Sequence, residues 1–420
     1  MMGTNSNSTM ATRVARTLIT TCAVAGTLLA AGCQRQEREI TEATGDLAAV
    51  VEGNNQFAVD LHGAAGQGNV FFSPFSINAA LSMVYAGAEG ETEQQIADVL
   101  GVTVDEETWH VSMGALFDDL VGQHHRGYTL HGANAFWGQE NAPFHAAFVD
   151  TLENRYLAPL QLVDFEGQSG QATEDINGWV SDQTRGKIED LFKPGDINAY
   201  TKFVLANAIY FKSDWIDTFD EDLTRERDFF VTLDETVSVP QMTQLEYFPY
   251  TVDEQVQVLE MPYEDDELAM LIVLPLQVDG LAAVEAELSA RKLDLWIDDL
   301  VSQEVDVTMP TFEMRHELPL RDTLEALGLT DGFDQASADF SGIVDLEDMN
   351  GNYYLHAARH QAYVKVDEKG TEAAAATGFA GGDDDDAAYP EFIADHPFLY
   401  LIRDKLTGAI LFMGRVEDPS

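Results

Sequence analysis

Cysteine is nearly absent from this chain: of 420 residues only Cys22 and Cys33 carry a thiol, both near the start. From residue 34 onward neither a disulfide nor a thiolate metal site is available, so a fold there depends on its apolar core. Basic residues are scarce too, 23 against 73 acidic ones, for a formal net charge of −50. The lysines all follow Gly186. Phosphate would be repelled over most of such a surface, which argues against a nucleic-acid partner. The balance suits a salt-rich setting, where screening weakens self-repulsion, or simply an acidic exported protein. Proline-rich linkers, internal repeats and composition breaks are missing as well. At 45% hydrophobic residues the chain is rich enough to build a sizeable core.

The first residues read as a targeting segment. Arg13 and Arg16 form a short basic region, and "TLITTCAVAGTLLAAGC" adds an apolar run ending in small residues and Cys33. That run is too short and too early for a spanning helix. "LLAAGC" resembles a bacterial lipobox, with Ala30 where the usual Leu stands and Leu29 one step further out. The resemblance implies a signal peptide over 1–32, a lipid on Cys33 and anchoring at the outer face of a bacterial membrane. Cleavage without lipid, giving a free extracellular protein, is the alternative. Residues 33–46 read as a polar tether, and one compact domain is expected over 47–420.

Within it, "SPFSINAALSMVYAG" (73–87) predicts a helix, with Ser73 as cap, Pro74 at the first helical position and Gly87 as stop. "ETEQQIADVLG" predicts a second, capped by Thr92 and stopped by Gly101; "INGWVSDQT" (176–184) predicts a third. Strands are expected at 202–211, 268–275, 400–404 and 409–416, the last two joined by the turn "KLTG". The near-continuous apolar run "LAMLIVLP" implies a strand buried on both faces. The class is mixed α+β, with large sheets covered by helices.

The segment "EKGTEAAAATGFAGGDDDDAAYPE" (368–391) is the least ordinary stretch. Its alanines are too few for a stable isolated helix between Gly370 and Gly378. As a strand it places Thr371, Ala373, Ala375, Thr377 and Phe379 on one face, with Glu372, Ala374, Ala376 and Gly378 on the other. Such a strand fits between two others without a clash on its first face. It also continues the preceding "AYVKV".

Several long blocks carry a family likeness: "NVFFSPFSINAALSMVYAGAEGETEQQI" (69–96), "INGWVSDQTRGKIEDLF" (176–192), "FVLANAIYFKSDWIDTF" (203–219), "DFSGI" (339–343), "VDEKGTEAAAATG" (366–378) and "FIADHPFLYLIRDKLTGAILFMGRV" (392–416). In this order they resemble the serpins, serine protease inhibitors that act by suicide. The resemblance implies three β-sheets, eight or nine helices, an exposed reactive-centre loop at about 368–391 and a metastable native state. A serine or cysteine protease would cut the loop and become acylated. The freed arm would then insert into the main sheet; about 14 residues at roughly 3.3 Å each carry the enzyme on the order of 46 Å. No cofactor or metal is implied, and a monomer is expected. The alternative is a non-inhibitory serpin that binds a ligand or partner.

The likeness also assigns residues. The hinge comprises Glu368, Gly370, Thr371, Glu372, Ala373, Ala374, Ala375, Ala376 and Thr377, and its small side chains favour inhibition over a carrier role. Trp215 matches the "breach", where the loop enters the sheet. Ser73, Ser76, Asn207 and His360 match the "shutter" beneath the sheet's middle. Counting from Glu368 puts the reactive bond at Asp384–Asp385; counting back from Pro397 favours Asp386–Ala387. Either register presents an acidic residue to an acid-specific protease, while a cut after Ala387 would suit an elastase- or subtilisin-like enzyme. The bland reading of "DDDD" is a solvated loop tip, and a calcium loop lacks its required Gly and Glu. Many serpins carry Lys just after the Pro of "VTMP" to pair the hinge Glu; here it is Thr311, so Glu368 lacks that partner. An enzyme reading is weak: "GQSG" is no nucleophile elbow, and the histidines of "HAARH", read as strand, sit too far apart for one zinc.

Overall fold

The computed structural model describes residues 46–121, 127–345, 353–371 and 389–420. Its first part runs α1 (Leu47–Ala64), β1 (Val70–Phe72), α2 (Pro74–Tyr85), α3 (Gly90–Leu100), α4 (Glu106–Val121), β2 (Tyr128–Gln139), α5 (Ala146–Arg155), β3 (Gln161–Val163) and α6 (Phe165–Gln183). The middle holds β4 (Phe203–Asp214), β5 (Arg225–Phe230), β6 (Thr236–Val252), β7 (Val256–Pro262) and β8 (Leu268–Pro275). Then come α7 (Leu281–Ala286), α8 (Ala290–Asp298), β9 (Val301–Pro310), β10 (Phe312–Leu318) and α9 (Leu320–Ala326). The C-terminal part is β11 (Ala358–Asp367), β12 (Gly370–Thr371), β13 (Glu391–Ile393), β14 (Phe398–Asp404) and β15 (Ile410–Val416). Nine α-helices therefore lie among the described residues, within the expected number.

Among the described residues the strands form two hydrogen-bonded sheets, one of six strands and one of nine. One sheet runs β10-β11-β12-β4-β2-β3. The nine-stranded sheet is joined through the long strand β6. Its residues 236–241 pair β5, residues 241–250 pair β9, and β9 carries β13. Its last residues, Tyr250–Val252, pair β7 and lead into β8, β14, β15 and β1. Every residue of β8 is buried, as its unbroken apolar run requires.

Local chemistry explains the ends of the helices. The Ser73 side chain accepts from the Ser76 N–H, Pro74 takes the first helical position, and α2 is buried along its whole length. Its end comes at Ala86, one residue before the expected Gly87. Gly101 closes α3 with φ +69, as expected. Thr92 does not cap that helix: α3 begins at Gly90 after Glu89. Thr92 is instead buried inside it, and its Oγ1 accepts from the Asp339 N–H, a long-range partner with no local signature. Helix α6 starts eleven residues before the predicted stretch, capped by the Asp164 carboxylate. It packs Ile176 and Val180 over Ala206 and Ala208 of β4 in a separate apolar cluster.

Candidate functional site: the seam between β4 and β11

Strands β4 and β11 are parallel neighbours from Leu205/Ala358 to Tyr210/Tyr363. Above that pair they part, and β12 lies between them, antiparallel to both. Thr371 faces Val366 on one side and Ser213 on the other; Gly370 faces Asp367 and Asp214. The sheet is thus closed below and opened above by Gly370 and Thr371, two of the residues that the family likeness assigns to a hinge. Gly370 has φ +154, and a Cβ there would lie 2.2 Å from the Ser213 carbonyl oxygen. Only glycine fits so close to the neighbouring backbone.

The mouth of the seam is built around Trp215. Its N–H donates to the Lys369 carbonyl (2.7 Å), and its indole Nε1 donates to the Asp367 carbonyl (3.0 Å). The indole stacks on Tyr263 at 4.6 Å between ring centres. The Tyr263 hydroxyl in turn meets Thr371 Oγ1 at 2.7 Å. Burial keeps this phenol protonated far above its ordinary range. Glu368 has a substitute for the missing lysine: its carboxylate accepts from Thr224 Oγ1 (2.6 Å), and its carbonyl accepts from the Phe219 N–H (2.8 Å). Tyr263 and Thr224 escaped the sequence reading because only the closed sheet brings them to the hinge.

Lower down, the structure gathers Ser73, Ser76, Asn207 and His360 into one buried cluster. Ser73 N–H donates to His360 Nε2 (3.1 Å), and Ser73 Oγ donates to the Leu411 carbonyl (2.6 Å). With Nε2 accepting, the imidazole proton sits on Nδ1 and is donated to Asn207 Oδ1. Asn207 Nδ2 donates to the Ser76 carbonyl (2.7 Å) and to Asn134 Oδ1 (2.6 Å). Asn134 was not foreseen; β2 sets it beside Asn207 by register, as β11 sets His360. Burial, with His316 adding to it, pushes the His360 pKa down to about 3, so the ring stays neutral and acts only as a hydrogen-bond relay.

Among the described residues, no group of three or more His, Cys, Asp or Glu could hold a metal ion. His356 binds Asn198 and Tyr354, away from His360, so "HAARH" shares no centre. The "GQSG" sequence lies within α6. Hinge residues Glu372 to Thr377, both reactive-bond assignments (Asp384–Asp385 and Asp386–Ala387) and Cys33 lie outside the described residues.

A family model described as "Serpin (serine protease inhibitor)" matches residues 52–419. The chain belongs to the serpin family. It is 38% identical over 364 residues to the leukocyte elastase inhibitor of Xenopus tropicalis, covering 84% of this chain and 93% of that protein. It is 36% identical over 380 residues to Serpin B6 of Pongo abelii, covering 88% of this chain and 99% of the relative. The solved structure of human thyroxine-binding globulin superposes with a TM-score of 0.80 at 29% identity, over 90% of this chain and all of that one. The chain is accordingly a protease inhibitor by family, not an enzyme, with a target protease as its partner.

Proposed function

We propose that the chain is a suicide inhibitor of an extracellular serine or cysteine protease. Its severed loop becomes a new strand between β4 and β11. The observation that carries this reading is the agreement of two registers. From Thr371, three steps along β11 (Val366 to Tyr363) and three along β4 (Ser213 to Tyr210) both set residue 374 between Tyr363 and Tyr210. Those tyrosines are already partners of each other. A strand continuing β12 therefore enters without a register shift.

The same count tests the arm's side chains. Ala373, Ala375 and Thr377 would follow Thr371 onto the core face, beside Phe211, Ile209 and Asn207. Thr377 would land on the row of His360 and Asn207, where a hydroxyl can exchange hydrogen bonds with the cluster. Glu372, the arm's one charge, would stand on the other face between Lys365 and Lys212. Both faces accept what the sequence offers.

In the reaction, the protease attacks the loop as a substrate and is acylated on the residue before the cut. Insertion then carries the acyl-enzyme away. A distortion that removes even one oxyanion donor slows its hydrolysis by roughly 100- to 1,000-fold. The four aspartates favour an acid-specific target with a basic S1 pocket. Cys33 would hold a monomer at the outer face of a membrane through its lipid; among the described residues no helix is long and apolar enough to cross one. The fold is shared with a protein named for thyroxine binding, so the small-residue hinge, not the fold, argues for inhibition.

A panel of proteases differing in P1 preference, run on denaturing gels, tests this. An SDS-stable complex with a cut between Asp383 and Ala388 is expected. Cleavage by every protease with no complex would point to the ligand- or partner-binding alternative.

A further inference from the structure

The highest rung of the closed seam is the pair Tyr210 and Tyr363. The turn after α6 crosses this rung. Arg185 sits over the Tyr210 ring, 5.5 Å from its centre, and Lys187 over the Tyr363 ring at 4.6 Å. Both rings are buried. Further contacts fix each end. Arg185 lies 3.1 Å from His131 Nε2 on β2, and His131 stacks on Tyr210. Tyr363 donates to Glu313 of β10 (2.9 Å). One short turn thus bridges the two strands that must separate, at the rung that must break first.

The turn is held in a shape that serves this contact. Arg185 adopts φ +52, a left-handed conformation that a non-glycine residue rarely takes, and Gly186 follows at φ +75. Its base is pinned: the buried Thr184 Oγ1 accepts from the Ile188 N–H (3.1 Å), and the Gly186 N–H caps α6 through the Ser181 carbonyl (2.8 Å). Admitting a strand doubles the spacing of β4 and β11 from about 4.8 Å to about 9.6 Å. A turn pinned at both ends cannot follow two rings that move apart, so at least one cation must let go.

We infer that Arg185 and Lys187 form a clasp across the seam. By holding Tyr210 to Tyr363 it sets how fast the sheet opens, and hence how the cut inhibitor divides between trapping its protease and releasing it. The inference rests on the strand-insertion reading above and names the residues that govern its rate. They are positioning residues, because they act on the sheet and do not touch the protease.

The test uses the full chain and a synthetic peptide of residues 371–381, TEAAAATGFAG, as an added strand. Its uptake is followed by the rise in thermal midpoint with incubation time. Replacing both cations, Arg185→Gln with Lys187→Gln, should speed uptake about five- to thirty-fold, the effect of losing two exposed cation–π contacts. The intact variant should melt lower than the parent, while the two peptide-filled proteins melt alike. Arg185→Lys with Lys187→Arg should restore the slow rate. Tyr363→Leu approaches from the other side of the contact: it should speed uptake alone, and removing Lys187 on top of it should add nothing. Equal uptake by parent and double glutamine variant overturns the clasp while leaving strand insertion standing. Failure of both proteins to take up peptide overturns strand insertion, and with it any role for a clasp.

Discussion

Replacing Thr371 by arginine separates the native structure from its function. Thr371 is 1% exposed, wedged between Val366 and Ser213, with its hydroxyl on Tyr263. The intact variant has an escape: two residues of β12 withdraw, at the loss of a few hydrogen bonds worth about 1 kcal/mol each. The β4–β11 ladder below remains, so the protein stays folded. Insertion has no such escape, because a strand entering from the top must pass residue 371 through the buried position. An unpaired guanidinium there costs about 3–5 kcal/mol, which slows insertion by roughly two to four orders of magnitude. Deacylation then wins, and the inhibitor becomes a substrate. The assay compares SDS-stable complex with released, cleaved chain across a titration of the target protease. Complex formation as efficient as in the parent would refute the argument that this position is a gate.

Two further outcomes follow from the site. Gly370→Ala places a Cβ against the Ser213 carbonyl at a φ reserved for glycine and should lower the stability of the intact chain by about 1–3 kcal/mol; an unchanged midpoint in thermal unfolding would show that β12 is not held in the sheet. His360 is neutral when folded, with its pKa near 3, against about 6.5 when unfolded. Between those values the unfolded chain binds a proton that the native one does not, so stability falls as pH drops from about 6.5 toward 3. His360→Gln should flatten part of this slope in denaturant titrations at several pH values, and an identical slope would exclude the histidine as its source.

Much of the fold was legible because its signals are local. The cap Ser73–Pro74 and the stop at Gly101 are written in adjacent residues, and the apolar run 268–275 specifies a doubly buried strand wherever it lands. What escaped depends on partners distant in sequence. Thr92 looks like a cap until Asp339 is seen to need its hydroxyl. Asn134 has no motif of its own and joins the buried cluster only because β2 pairs β4 in one register. Thr311 suggested an untethered Glu368, but Thr224 anchors its carboxylate from a segment that lies outside the blocks carrying the family likeness. The cations of Arg185 and Lys187 sit in a block that the family likeness covered, yet their aromatic seats on β4 and β11 appear only once the sheet is assembled.

Strand insertion requires the native sheet to be a receptor for its own severed arm, with free energy released when the arm enters. The direct measurement is the thermal midpoint of the chain before and after a single nick between Asp383 and Ala388, followed in the same buffer. The nicked chain, with its arm between β4 and β11, should melt well above the intact one. A nicked chain that melts at or below the intact midpoint would contradict it.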